Sequence, residues 1–308
     1  MTAQALAARA GELPESRGVV GDALTNLLRN RSAIVGFIIL GSLFLVAVLA
    51  PVLAPYDPTH SLLDQGEKIY TPPCIHALGC PADKIQHLAG LDQNARDEFS
   101  RVIFGARISL FIGFTTVGFA IVLGVLAGAV SGYAGGWADN GIMRVMDVVL
   151  AFPSLLLALA IVTLLGPGLT NSLIAIGITQ IPVYARVVRS SVISVKELDF
   201  VTAERALGAS SSRILFRRIL PNSLTPLIVQ GTLGIASAVL DAAALSFIGL
   251  GAQPPAAEWG RMIGDAKDQL FSAPYLIFVP GVALSLTVLA FNLLGDGLRD
   301  ALDPRLNR

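Results

Sequence analysis

Two carboxylates of this 308-residue chain stand in or beside apolar runs. Asp241 is preceded by IASAVL and followed by AAALSF, and Asp147 lies in MDVVLAF. An acid in such surroundings is costly and faces a bundle interior, a partner group or a water-filled path. Asp241, with Asn292 of the last apolar run, is a candidate for lining a translocation path or a seam with a partner chain; the alternative is a bond between helices, for instance from Asp241 to Asn292. Asp147 follows Arg144 by three residues, a spacing that pairs charges on one helix face. The second concentration of chemistry is Asp199 to Pro221, DFVTAERALGASSSRILFRRILP, with Glu204, Arg205, Arg213, Arg217 and Arg218. Ala203, Ala206, Leu207, Ile214, Leu215 and Ile219 recur at helical spacing around Gly208, which predicts a short helix–turn–helix. Pro221 is expected to head the next apolar run. Such an element serves either as a docking surface for a soluble partner or as an ordinary basic loop obeying charge bias.

Enzymatic chemistry has no foothold here. None of the four lysines (68, 84, 196 and 267) follows a glycine, and no GxxxxGK[ST] is present, so the chain cannot itself cradle nucleotide phosphates. HExxH and GxSxG are also absent, which leaves no zincin or serine-hydrolase reading. Three histidines and two cysteines are too few for a metal cluster or a disulfide scaffold. The chain is expected not to be an enzyme and to carry no metal.

Composition says what surrounds these residues. Hydrophobic residues make up 54% and charged residues 14%, against about 25% charged in soluble domains. Mean hydropathy is +0.68. The fold class expected is all-α and polytopic, because in lipid every backbone group must be satisfied internally. Six apolar runs have roughly the length that a span needs: 32–54, 108–130, 145–165, 169–188, 224–250 and 273–294. The first follows Arg29 and Arg31 without a small-residue cleavage site, and is expected to stay in the membrane. The chain divides into an N-terminal segment, 1–31, a first span, 32–55, and a loop, 56–104. A five-span core, 105–298, with the polar helices at 199–218, and a tail, 299–308, complete it.

Charge placement tests this topology. With the N-terminus in the cytoplasm, fifteen of the 22 lysines and arginines fall inside and seven outside, most of those in the 56–104 loop. That satisfies the positive-inside rule and places both termini and the 199–221 loop inside. Cys74 and Cys80 then face an oxidising side, which favours a small disulfide loop over two free thiols. With a formal net charge of zero, nothing points to nucleic acid. Trp259, with Glu258 and Arg261, falls in an outer stretch, either as a docking residue or as an interfacial anchor.

The 199–221 stretch resembles the cytoplasmic coupling motif of ABC-importer permeases: EAA, three residues, Gly, then a spaced I-x-L-P. Ala203, Gly208, Leu220 and Pro221 fall in place, with Ile219 just before. FGARISL (104–110), SGYAGGWAD (131–139), LSFIGLGAQPP (245–255), EWGRMI (258–263) and LAFNLLGDGLRDALDPRL (289–306) resemble the dipeptide, oligopeptide and nickel branch, C-type subunit. Two departures stand out. Thr202 occupies the first glutamate position while the acid is Glu204, and two helix positions are about 200° apart. The external GTDxxGRDxxSR appears as GLDQNARDEFSR (90–101), keeping Asp92, Arg96, Asp97 and Arg101.

The resemblance implies the type I ABC-importer permease fold and a bacterial or archaeal cytoplasmic membrane. It implies a homologous second permease, two ATP-binding subunits that carry ATP and Mg, an extracytoplasmic peptide-binding protein and lipid as partners. It places the ATPase-coupling residues at Ala203, Glu204, Ala206, Leu207, Gly208, Ala209 and Arg213. Arg213, Arg217 and Arg218 could meet acidic ATPase residues or anionic lipid heads. The rival readings are a stand-alone secondary transporter or channel, with paired interrupted helices and midplane acids, and a structural scaffold. Within the family, nickel, glutathione and oligosaccharide importers share these motifs with peptide importers.

Overall fold

The computed structural model describes residues 27, 28, 30–81 and 83–302. Most of the N-terminal segment and the last six residues of the tail lie outside the described residues. The elements are α1 (Arg31–Leu53), α2 (Glu98–Ala134), α3 (Gly136–Leu150), α4 (Ser154–Leu165), α5 (Leu169–Lys196), α6 (Asp199–Ala206), α7 (Ser211–Ile214), α8 (Leu220–Ser223), α9 (Thr225–Phe247), α10 (Trp259–Ala266) and α11 (Tyr275–Leu302). Five of them, α1, α2, α5, α9 and α11, are long and apolar enough to cross a membrane. The sixth expected span is broken: α3 and α4 meet at 89°. Pro153 is the cause, since a proline lacks the N–H that an unbroken helix needs and disfavours α geometry in Phe152 before it.

Helix starts follow side-chain chemistry. Asn30 accepts from the amides of Ser32 and Ala33 at the head of α1. Asp97 accepts from Ser100 N at 2.8 Å and so starts α2 inside GLDQNARDEFSR; each such cap is worth about 1 kcal/mol. The 56–104 loop therefore ends at residue 97, seven residues earlier than expected. At the other terminus α11 continues through Arg299 to Leu302. Pro221 heads only the one-turn α8, and Pro226 stands at the start of the long α9.

The bundle is built on α2 packed along α5. Gly124, Gly128 and Gly132 recur every fourth residue on α2, and this stripe lies against α5 backbone. A Cβ on Gly128 would lie 2.3 Å from Ala185 O, and one on Gly132 2.9 Å from Arg189 O. Small residues at this spacing let helices without a hydrophobic driving force approach closely. These three glycines therefore serve helix packing. Helix α11 joins the bundle against α1 and α9, and Gly297 meets the Ala33 side chain where a Cβ would lie 2.5 Å away.

Gly128→Val is expected to destabilise the protein by roughly 1–3 kcal/mol or more through overpacking. Gly118→Val, where nothing lies within 4 Å of the added Cβ, is expected to be silent. Thermal unfolding of the two purified variants checks both expectations; equal midpoints would show that the glycine stripe does not set the α2–α5 distance.

Candidate functional site

At one end of the bundle the chain from α5 to α9 forms an elbow. Val201, Ile214, Leu215 and Ile219 are buried, so the elbow is anchored through one face only. The other face is open: Ala203, Ala206 and Gly208 are exposed, and Leu207 is 85% exposed. Ala209 and Glu204 are half-buried. The turn is a helix C-cap of backbone bonds. Leu207 N donates to Ala203 O at 3.0 Å, Gly208 N to Arg205 O at 3.0 Å and Ala209 N to Glu204 O at 3.1 Å. Gly208 has φ +78, a left-handed geometry that costs a residue with a Cβ roughly 1–2 kcal/mol. No described residue lies within 4 Å of where that Cβ would be. Ala203, Ala206 and Gly208 thus form a patch of small exposed residues beside Leu207.

Beyond Ser210 the second arm runs through α7 into a π-helical turn, Leu215–Ile219. Arg218 Nε bonds Glu204 Oε1 at 2.7 Å, so the acid that departs from the family position ties the two arms together. Arg213 and Arg217 are exposed and form no ion pair among the described residues.

Three contacts brace the same end. Arg189 forks onto Asp139, with both N···O distances 2.6 Å. Arg186 bonds Asp147 at 2.6 Å. Lys196 Nζ donates to Tyr133 O at 2.9 Å. The expected Asp147–Arg144 pair is thus replaced by one from α3 to α5, because tertiary packing brings Arg186 to the acid. Sequence spacing does not show such pairs, since their partners are 39 and 50 positions apart.

The opposite end is closed by polar residues. Asp92 accepts from Arg96 Nε at 2.8 Å and from its backbone N at 2.9 Å. Arg101 donates to Pro58 O at 3.0 Å. Cys74 and Cys80 are joined by a disulfide, and Cys74 pairs with buried His87 through two backbone bonds of 2.8 and 2.9 Å. Trp259 is neither a docking residue nor an interfacial anchor. It is 1% exposed and donates to Val102 O at 3.0 Å, in the space that Gly105 leaves open. Glu258 caps α10 through the amides of Gly260 and Arg261; burial pushes its carboxyl up, while those amides pull it down.

Between the ends, a cavity of about 330 Å³ lies among α5, α9 and the break between α3 and α4, and Asp241 lines it. Asn292 is exposed and does not line this cavity. Gly295 packs on Leu233, and from that contact α9 and α11 run in opposite directions, which leaves Asn292 short of the level of Asp241. The expected Asp241–Asn292 bond does not form.

Comparison with known proteins bears on this arrangement. Residues 120–308 match the family model described as "Binding-protein-dependent transport system inner membrane component". The chain belongs to that family. Residues 19–73 match the N-terminal transmembrane domain of oligopeptide transport permease C. A dipeptide transport system permease protein of Alkalihalophilus pseudofirmus is 47% identical over 92% of this chain and 90% of its own length. A di/tripeptide transport system permease protein of Pseudomonas aeruginosa is 46% identical over 90% of this chain and 89% of its own length. A glutathione transport system permease protein of Pectobacterium atrosepticum is 42% identical over 91% and 89%. An inward-facing structure of the MetNI methionine ABC transporter shares the fold: TM-score 0.53, 18% identity, 67% of this chain and 97% of that one. The protein is thus a multi-pass ABC-transporter permease subunit of the all-helical type expected.

The Glu204–Arg218 pair is about half exposed on the arginine side, and exposed pairs are worth about 0.2–1 kcal/mol. Arg218→Ala is therefore expected to speed hydrogen exchange at the amides of Leu207, Gly208 and Ala209 by up to about fivefold. No change there would mean that backbone bonds alone hold the elbow.

Proposed function

We propose that this chain is one of two permease subunits of an ATP-driven importer of di- and oligopeptides. The observation that carries the reading is the elbow: a one-side-anchored pair of arms on which the small residues Ala203, Ala206 and Gly208 are exposed and Leu207 projects. A scaffold protein has no use for an outward-facing glycine turn with an exposed leucine beside it. A secondary transporter would pair interrupted helices across a repeat, whereas the described residues hold one bent pair, α3 with α4.

In this reading the elbow end, Arg144 and both termini face the cytoplasm, as the lysine and arginine distribution favours. ATP binding and hydrolysis belong to two separate nucleotide-binding subunits; this chain performs no chemistry. When ATP closes those subunits, their surface takes hold of Leu207 and the alanines around Gly208. The arms, held to each other by Arg218 and Glu204, carry the motion into α5 and α9. The path between this chain and a homologous permease then opens outward to a peptide-loaded binding protein, and hydrolysis resets it. Coupling here means that nucleotide and peptide both bias one two-state element. Peptide is the substrate favoured by the dipeptide relatives at 46–47% identity. Glutathione, carried by a relative at 42%, is itself a peptide.

The test is mild-detergent purification of the tagged chain from its native host, followed by mass spectrometry. Recovery of two ATP-binding subunits and a second permease is expected. Leu207→Asp, and separately Gly208→Trp, are expected to lower co-purifying ATPase at least tenfold while the second permease stays bound. A monodisperse chain indifferent to both substitutions would overturn the importer reading.

A further inference from the structure

The geometry points to Asp241 as the acceptor for the free α-ammonium group of the peptide in transit, an inference that rests on the importer reading above. On α9, Gln230, Gly234, Ser237 and Asp241 all line the cavity. Their spacing of four, three and four residues puts them on one helix face. The stripe covers about 16 Å along the helix at 1.5 Å per residue. Across the cavity α5 contributes Gln180 and Tyr184. Tyr184 O–H donates to Gln180 Oε1 at 3.4 Å, and its hydroxyl occupies the place of a Cβ at Gly234.

Among the described residues, Asp241 is the one charged residue lining the cavity, and no basic one lines it. It is half-buried and forms neither a hydrogen bond nor an ion pair with any described residue. A lone carboxylate in an apolar bundle is costly unless something cationic visits it. The remaining polar groups are neutral amides and hydroxyls, suited to peptide carbonyls and amides. Phe152, at the α3–α4 break, also lines the cavity. A cavity of about 330 Å³ is within the range that holds small ligands. A peptide offers one group that complements this arrangement in charge whatever its side chains, namely its amino terminus. A carboxylate there attracts it without reading sequence, and a single contact releases it readily.

The test uses the purified complex with its partner subunits and a Ser237→Cys reporter, with Gln230→Cys as a second reporter. Cys74 and Cys80 are bonded to each other and do not compete for thiol reagents. A trimethylammonium thiosulfonate is expected to react about tenfold faster than a sulfonate one of similar size. Ala-Ala is expected to slow that reaction severalfold and N-acetyl-Ala-Ala to leave it unchanged. Asp241→Asn is expected to abolish both the charge preference and the protection, and Asp241→Glu to keep them. In reconstituted vesicles with binding protein, Asp241→Asn is expected to lower Ala-Ala uptake about tenfold. Equal protection by the two peptides, two unreactive reporters, or loss of the second permease from the Asp241→Asn complex would each overturn the inference. If protection depends on the ammonium group but the unsubstituted complex imports no peptide, the site stands and the importer reading falls.

Discussion

Everything else in the bundle depends on how closely α2 and α5 approach. In lipid there is no hydrophobic reward for bringing two apolar helices together, so their distance is set by backbone and small side chains. Gly124, Gly128 and Gly132 provide that approach, with α5 backbone atoms within 3.0 Å of where their Cβ atoms would be. Once α5 is fixed, its polar residues fall where they act. Arg186 and Arg189 hold α3 through Asp147 and Asp139. Gln180 and Tyr184 face the cavity, and the C-terminal end of α5 delivers the chain into the elbow. The glycine stripe is therefore the reference against which both candidate sites are positioned.

The two ends of the molecule use polar residues in opposite ways. At the disulfide end, Asp92, Arg96, Asp97 and Arg101 are buried; Asp92 pairs with Arg96, Asp97 accepts from Ser100 and Arg101 donates to the Pro58 carbonyl, which makes a fixed cap. Burying charges in this manner adds little net stability but penalises any alternative arrangement that breaks a pair. At the elbow, by contrast, Arg213, Arg217 and Leu207 are left facing outward. A surface that is apolar, small and flanked by unsatisfied cations has the character of an interface awaiting its partner. Rigidity is supplied by the parts that do not face outward: the glycine C-cap, the Glu204–Arg218 pair and the buried Val201, Ile214 and Ile219.

The broken span shows how one residue serves architecture and path together. Pro153 ends the run of helical hydrogen bonds, and backbone freed in this way at membrane depth is tolerated only inside protein or beside a cavity. The break lies beside the cavity that Asp241 shares with α5 and α9. An interrupted helix and an acid with no partner among the described residues thus border the same cavity, each of them costly in lipid alone.

Length and hydropathy were enough to establish the all-helical, membrane-spanning class, because a run of about 20 apolar residues has few other fates. The elbow was also legible, since helical periodicity, a glycine turn and a cluster of arginines are local properties of residues 199–221. The family followed from several motifs in order, each readable without a fold. Pairings across the structure were not legible. Asp147 chose Arg186 over Arg144, Glu204 found Arg218, and Trp259 went into the core instead of the surface. Nor was Asp241 separable from a bond to Asn292 until the opposed register of α9 and α11 set the two at different levels. In each case the deciding quantity is the distance between helices far apart in sequence, and that distance comes from packing, which no local pattern encodes.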